Sequence, residues 1–394
     1  MGPKEIQAGV FSVGAIDWDR RIFDELIPLP DGTSYNSYLV RGSTGIALID
    51  TVDPTKEGEL LSHLDELKVD RIDYLISNHA EQDHSGVIPR ILSRYPSAQV
   101  VTTPRGKDLL RPLLHIPDEK ITAVQDRETL SLGDRTLEFI HAPWVHWPET
   151  MLTYLREERI LFTCDLFGSH YATGDPAVGD LGRVYWAAKR YYAEIMMPFR
   201  GLIQGHLEKI RPLPLDIIAP SHGPVYRKPE QILSAYRDWV SDSVKNEVII
   251  PYVSMHHSTA VMVSHLVKAL TDRGIVAIPF NLTVTDIGEL AMALVDAATV
   301  IIGTPTVLTG PHPSAIYATY LVKLLKPKAK ACGVIGSYGW GGKTVKEITG
   351  ILQGLPVEFL DPVLVKGLPE AEDLKALDKL ADTIAEKHRS YGIL

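Results

Sequence analysis

The run Asn78-His79-Ala80-Glu81-Gln82-Asp83-His84-Ser85-Gly86 constrains this chain more than any other stretch. His79, Glu81, Asp83 and His84 are all metal-binding side chains, crowded into six consecutive positions. Residues 71–77 before them are rich in apolar and aromatic residues and predict a strand. Residues 87–92 after them predict the first turns of a helix. The cluster therefore falls on a strand-to-helix loop, where open α/β sheets place their sites. A solvated polar loop would explain one such histidine, but four donors this close point to a metal. Imidazole and carboxylate together suit zinc, iron or manganese.

The chain has 394 residues, which implies two or three domains. A formal charge of −9 argues against general affinity for nucleic acid, whose phosphates need a basic face. No apolar run reaches the ~20 residues of a membrane span, and the N-terminus lacks the apolar core of a signal peptide. Cys164 and Cys332 are the only cysteines, so a disulfide framework and a Cys-x-x-Cys module are both excluded. A reducing cytoplasm is the expected location.

Residues 37–40, 45–49, 98–103 and 136–141 predict short strands, and 151–155 with 159–163 a hairpin. Residues 57–67 have helical spacing, with Leu60, Leu61, Leu64 and Leu67 on one side. Residues 104–114 predict a short helix and 181–207 a long one, followed by a strand at 216–219. Beyond residue 245 the pattern changes. Strands at 247–253, 274–280, 299–303 and 329–335 are each followed by a loop and a helical segment. Such alternation predicts a doubly wound parallel sheet, in the flavodoxin-like strand order 2-1-3-4-5. The expected division is 1–245 and 246–394.

Three more candidate ligands sit at strand ends in the first part: His146, Asp165 and His222. With His79, Glu81, Asp83 and His84 they make seven donors, too many for one ion and suited to two, with a carboxylate such as Asp165 as bridge. The text His-x-Glu-x-Asp-His, then His146 before Trp-Pro, then Asp165, then Ser-His222-Gly, resembles the flavodiiron proteins. These are A-type flavoproteins with a metallo-β-lactamase-like domain. Trp18-Asp19 and residues 33–39 extend the resemblance over nearly the whole chain. Hydrolases of that fold usually carry His where this chain has Glu81, and a harder oxygen ligand shifts such a site from zinc towards iron. The resemblance implies an N-terminal metallo-β-lactamase-like αββα sandwich. It also implies His79, Glu81 and His146 on one iron, Asp83, His84 and His222 on the other, and Asp165 bridging them. His170 and Tyr192 resemble residues that hydrogen-bond near the bound gas.

In the second part, Ser254-Met255-His256-His257-Ser258-Thr259 lies between a strand and a helix, a natural phosphate site. Thr304-Pro305-Thr306-Val307 and Ser337-Tyr338-Gly339-Trp340-Gly341 occupy the next crossovers, where FMN would lie in a flavodoxin-like domain. His256 and His257 stand where an aromatic or apolar residue is commoner in the family.

The resemblance thus implies an enzyme that reduces O2 to water, NO to N2O, or both. Its electrons would pass through FMN from a separate donor, rubredoxin or reduced coenzyme F420. A head-to-tail homodimer, or a dimer of such dimers, is implied as well. The alternatives are a zinc-dependent hydrolase of esters or thioesters and an electron carrier with a vestigial metal site.

Overall fold

Period-two burial in the short strands of the first part builds two seven-stranded sheets. In the first, Leu39, Leu48, Leu75 and Val100 join a core with Leu60, Leu64, Ile88, Ile91 and Leu110 of its covering helices. The alternate residues Tyr38, Val40, Ala47, Ile49, Ile76 and Val101 pack instead against Leu137, Phe139, Met151, Ile160 and Phe162 of the second sheet. Each large apolar side chain buried there contributes about 1.5–3 kcal/mol. On the second sheet's other face Leu152, Leu161 and Ile218 are equally buried. Helices Arg200–Ile210 and Pro229–Val240 supply the fourth layer of this αββα sandwich. The computed structural model describes residues 2–178 and 181–394.

Two parallel pairings decide where the site falls. Ile46–Ile49 runs beside Tyr74–Ile76, and Ile160–Cys164 beside Ile217–Pro220. Asp50 and the His79 loop therefore leave one sheet end together, as do Asp165 and His222.

By contact the chain divides into Met1–Tyr192 with Phe199–Val240, and Ala193–Pro198 with Ser241–Leu394. In the second unit Val276–Asn281, Lys245–Tyr252, Ala297–Gly303 and Ala331–Tyr338 pair in that order, all parallel. The fifth position is shared by Glu358–Phe359 and Val363–Lys366, both beside Ala331–Tyr338. This is the doubly wound 2-1-3-4-5 order. Val248, Ile250 and Ile301 pack there with Met262 and Leu266, and with Leu377 and Ile384 of the last helix.

Some boundaries differ from expectation. The strand expected at 71–77 is only Tyr74–Ile76, and the ligand loop holds its own short helix, Gln82–Ser85. The helix expected over 181–207 is split: Gly182–Tyr191, a π-turn over Tyr192–Met196, a tight turn at Met197–Phe199, then Arg200–Ile210. Pro198 explains the break, since it offers no N–H to a continuing helix. Two small hairpins were not expected: Ala15–Asp17 with Thr33–Tyr35, and Ile22–Phe23 with Ile27–Pro28.

Candidate metal centre and flavin site

The ligand loop is fixed at both ends before any metal is considered. The backbone N–H and the side-chain amide of Asn78 donate to the two oxygens of Asp50, at 2.8 and 2.9 Å. Thr153 Oγ1 donates to Asn78 Oδ1. At the far end the Thr51 N–H and hydroxyl both donate to the carbonyl of His84 at 2.7 Å. Burial pushes the Asp50 carboxyl up to about 6.

Seven donor side chains converge inside this frame. The Nε2 atoms of His79 and His146 each lie 3.1 Å from Glu81 Oε2 and 3.5 Å from Asp165 Oδ2. His84 Nε2 lies 3.1 Å from the other oxygen of Asp165 and 3.3 Å from Asp83 Oδ2. His222 Nε2 is 3.4 Å from that same Asp165 oxygen and 3.2 Å from Asp83 Oδ2. The donors thus form two groups, His79, Glu81, His146, Asp165 and Asp83, His84, His222, each with atoms within 4.8 Å of one another.

The residues fit metal ions by three tests. Both Asp83 oxygens, both His84 nitrogens and Asp165 Oδ2 are buried without a hydrogen-bond partner, an expensive state unless an ion fills it. Two of the outward nitrogens are also tied. His79 Nδ1 donates to Glu149 Oε1 at 2.6 Å and His222 Nδ1 to the Ser34 carbonyl at 2.7 Å, which leaves Nε2 free to ligate. Finally, although burial disfavours charge, the surrounding carboxylates hold His79 and His146 up to about 10. An ion would take the place of those protons.

Around the centre, His170 Nδ1 bonds Thr33 Oγ1 at 2.9 Å, and its ring lies 4.9 Å from that of His222. Burial and the neighbouring His222 keep His170 well below the usual imidazole range. Tyr192 does not occupy the expected place. Its hydroxyl donates to the Trp239 carbonyl at 3.1 Å, and its ring packs on Tyr236 and Trp239. Tyr191 is the tyrosine at the centre, donating to Asp165 Oδ1 at 2.8 Å. Adjacent helical residues point about 100° apart, so only one of the pair can face the metals. Glu149, Ser34 and Thr33 were not read from the sequence as site residues, nor was Phe23, whose ring lies 5.1 Å from His170 and 6.1 Å from His222.

In the second unit a cavity of about 400 Å³, within the range of small-molecule sites, opens at the strand ends. Ser254, Met255, His256, Ser258 and Thr259 line it with Pro305, Thr306, Ser337, Tyr338, Gly339 and Trp340. Gly367 and Leu368 add a loop that the sequence reading left out. His257, Thr304, Val307 and Gly341 are not in the lining. His257 instead takes the left-handed turn before helix Ser258–Thr271, and Thr304 Oγ1 accepts from the His312 N–H. That helix starts at the cavity, where the Ser254 hydroxyl accepts from the Ala260 N–H at 3.1 Å, and a helix start of this kind suits a phosphate. A Cβ at Gly339, which lines the cavity, would meet nothing within 4 Å.

Fold and site together define a two-unit protein, an αββα metal-binding sandwich followed by a flavodoxin-like sheet. The model of the ODP family beta lactamase matches residues 33–223. The chain is 37% identical over 387 residues to the type A flavoprotein fprA of Rhodobacter capsulatus, covering 95% of this chain and 89% of that one. It is 37% identical over 398 residues to the nitric oxide reductase of Moorella thermoacetica, covering 98% of each. Among solved structures it matches rubredoxin oxygen:oxidoreductase from Desulfovibrio gigas with a TM-score of 0.94 at 30% identity, over 98% of this chain and 99% of that one. The flavodiiron protein from Giardia intestinalis matches with a TM-score of 0.93 at 28% identity, over 99% and 98%. The chain belongs to the flavodiiron proteins, the type A flavoproteins.

Proposed function

We propose that this protein is a flavodiiron oxidoreductase that reduces O2 to water, NO to N2O, or both. One observation carries the reading: the two oxygens of Asp165 face different histidine groups, as a bridge between two ions must. His79, Glu81 and His146 would hold one iron, and Asp83, His84 and His222 the other. When bound, two irons and a flavin together supply the four electrons that take O2 to two waters, or the two that join two NO as N2O and water.

The chain's own side chains hold and orient the rest. Glu149 and the Ser34 carbonyl fix the tautomers of His79 and His222. The Tyr191 hydroxyl holds its proton on Asp165 Oδ1, and His170 stays neutral beside His222. The first unit is the diiron domain and the second the FMN domain. In the second unit the start of helix Ser258–Thr271 would take the phosphate, and Tyr338 and Trp340, which line the cavity, would border the ring. The matching relatives are named as flavoprotein and reductase over nearly their whole length, so the zinc-hydrolase alternative is not favoured.

Electrons come from a separate carrier, rubredoxin or reduced coenzyme F420. The working unit is a head-to-tail homodimer. Exposed apolar residues lie close in sequence to site residues, Ile22, Leu26 and Trp144 in the first unit and Met255, Leu308, Trp340 and Leu368 in the second, as two faces that cover each other would require. No described helix is long and apolar enough to cross a membrane. The test is metal analysis and a visible spectrum of protein prepared anaerobically. About two irons and one FMN per chain are expected. Stoichiometric zinc without flavin, with hydrolysis of thioesters, overturns the reading.

A further inference from the structure

The hairpin Ile22–Phe23/Ile27–Pro28 places its turn beside the metal centre. Phe23 is buried, and its ring packs against those of His170 and His222. The next residue, Asp24, is exposed at the turn with φ 49°, so one step of the chain leads from the wall of the centre to solvent. The arginines nearest in sequence are tied to backbone carbonyls, Arg20 to Ile22 and Arg21 to Trp18 and Arg20. Among the described residues Asp24 forms no ion pair.

Its electrical surroundings are those of the ligands themselves. Partial burial first, and then the negative charges of Glu81, Asp83 and Asp165, push the Asp24 carboxyl up to about 6, against the pull of His146. Asp24 therefore sits within the field of both ligand groups, not of one alone.

The ligand set leaves a charge for such a residue to offset. Two divalent ions bring four positive charges against three carboxylates, Glu81, Asp83 and Asp165, and two trivalent ions bring six. A loaded centre is thus cationic and attracts small anions, which compete with an uncharged gas for the same open positions. We infer that Asp24 is a specificity-determining residue, a fixed negative charge at the mouth of the diiron centre that disfavours anions and leaves neutral diatomic gases unaffected. This rests on the diiron reading above. The mechanism is Coulombic and needs no contact between Asp24 and a metal. One unit charge ~7 Å away in a water-like dielectric changes anion affinity by about threefold. Salt must weaken the effect, because the carboxylate is only partly buried.

Asp24→Asn tests this with little risk to the fold, since Asn adopts the left-handed turn at least as well as Asp. Iron content and FMN are measured first on the full-length protein, then azide affinity of the oxidised centre by its visible charge-transfer band, and NO affinity of the reduced centre. Two irons per chain are expected in both proteins. Asp24→Asn should bind azide about threefold more tightly at low salt, the difference closing as salt rises, with NO affinity unchanged. Glu25→Gln, one residue further along the same turn, should gain less. Equal azide affinity in Asp24→Asn and the parent overturns the inference and leaves the diiron reading standing. So does an equal gain in Glu25→Gln, or a parallel rise in NO affinity. Protein without iron as prepared overturns both.

Discussion

Glu149 Oε1 accepts two hydrogen bonds at once, from His79 Nδ1 at 2.6 Å and from the Ala80 N–H at 2.9 Å. One carboxylate oxygen thus fixes both the ring of the first ligand and the backbone that carries the second, Glu81. Burial works against its charge, yet the bond from His79 holds the Glu149 carboxyl below the usual range. Glu149→Gln keeps the size but removes the charge that makes His79 a stronger ligand. Iron affinity should fall about 10- to 100-fold while the protein stays folded. Competition with a chelator measures this, and unchanged retention of both irons would remove Glu149 from the site.

The Tyr191–Asp165 bond separates two neighbours that look alike in sequence. Tyr191→Phe removes the hydroxyl that donates to the candidate bridging carboxylate. The expected result is gas reduction lowered by about tenfold, with a shifted visible spectrum of the oxidised centre. Tyr192→Phe loses the bond to the Trp239 carbonyl, which should cost about 1 kcal/mol of stability and leave the spectrum as it was. A spectral change in Tyr192→Phe and none in Tyr191→Phe would reverse the assignment.

The same pair shows where sequence reading stops. The ligand run 79–84 was legible because its donors are contiguous, and His146, Asp165 and His222 because each follows a recognisable strand. The parallel sheet of the second unit was legible because its strands are long and apolar on both faces. Tyr191 and Tyr192 could not be told apart, since the π-turn from Tyr192 changes the helical phase there. Glu149 looked like any surface acid after Trp147-Pro148. Only the return of Met151–Leu155 beside Thr136–His141 brings it to the far side of His79. The hairpin carrying Phe23 and Asp24 has two-residue strands, too short to show any period.

A pH effect is expected far from either cofactor site. His388 is buried in the second unit, with Nδ1 2.7 Å from Asn246 Oδ1 and Nε2 2.9 Å from Thr299 Oγ1. Burial lowers its pKa, so the folded protein resists a proton that the unfolded chain accepts near 6.5. The unfolded state then binds more protons, and stability falls as pH drops below about 6.5 towards the folded value. Above that range both states are neutral and the contribution is flat. Urea midpoints between about pH 5 and 8 should show this slope, and His388→Gln should flatten it. An identical slope in the variant would place the titration elsewhere.

The last prediction concerns how flavin and iron meet. The candidate ligands all lie in the first unit and the flavin-type loops in the second, and each unit exposes apolar residues close in sequence to its site. A two-fold axis lets the first unit of one copy cover the second unit of its partner, and such an isologous pair closes without leaving a free face. If electrons cross that interface, two different defects can complement each other. Asp165→Ala leaves two cations without their shared carboxylate, so at least one should be lost while FMN stays bound and reducible. The triple variant Ser254→Ala, Ser258→Ala, Thr259→Ala removes the hydroxyls that line the phosphate end of the cavity, and should lose FMN while keeping iron. Each alone should be inactive. Co-expressed, about half of the dimers are mixed and each mixed dimer holds one intact pair of sites, so activity should return to about a quarter of the parent's. Affinity tags on the two chains isolate the mixed dimer and set the expected value at about half. Mixed dimers without activity would mean that electrons pass within one chain, and the head-to-tail arrangement would then lose its function in electron transfer.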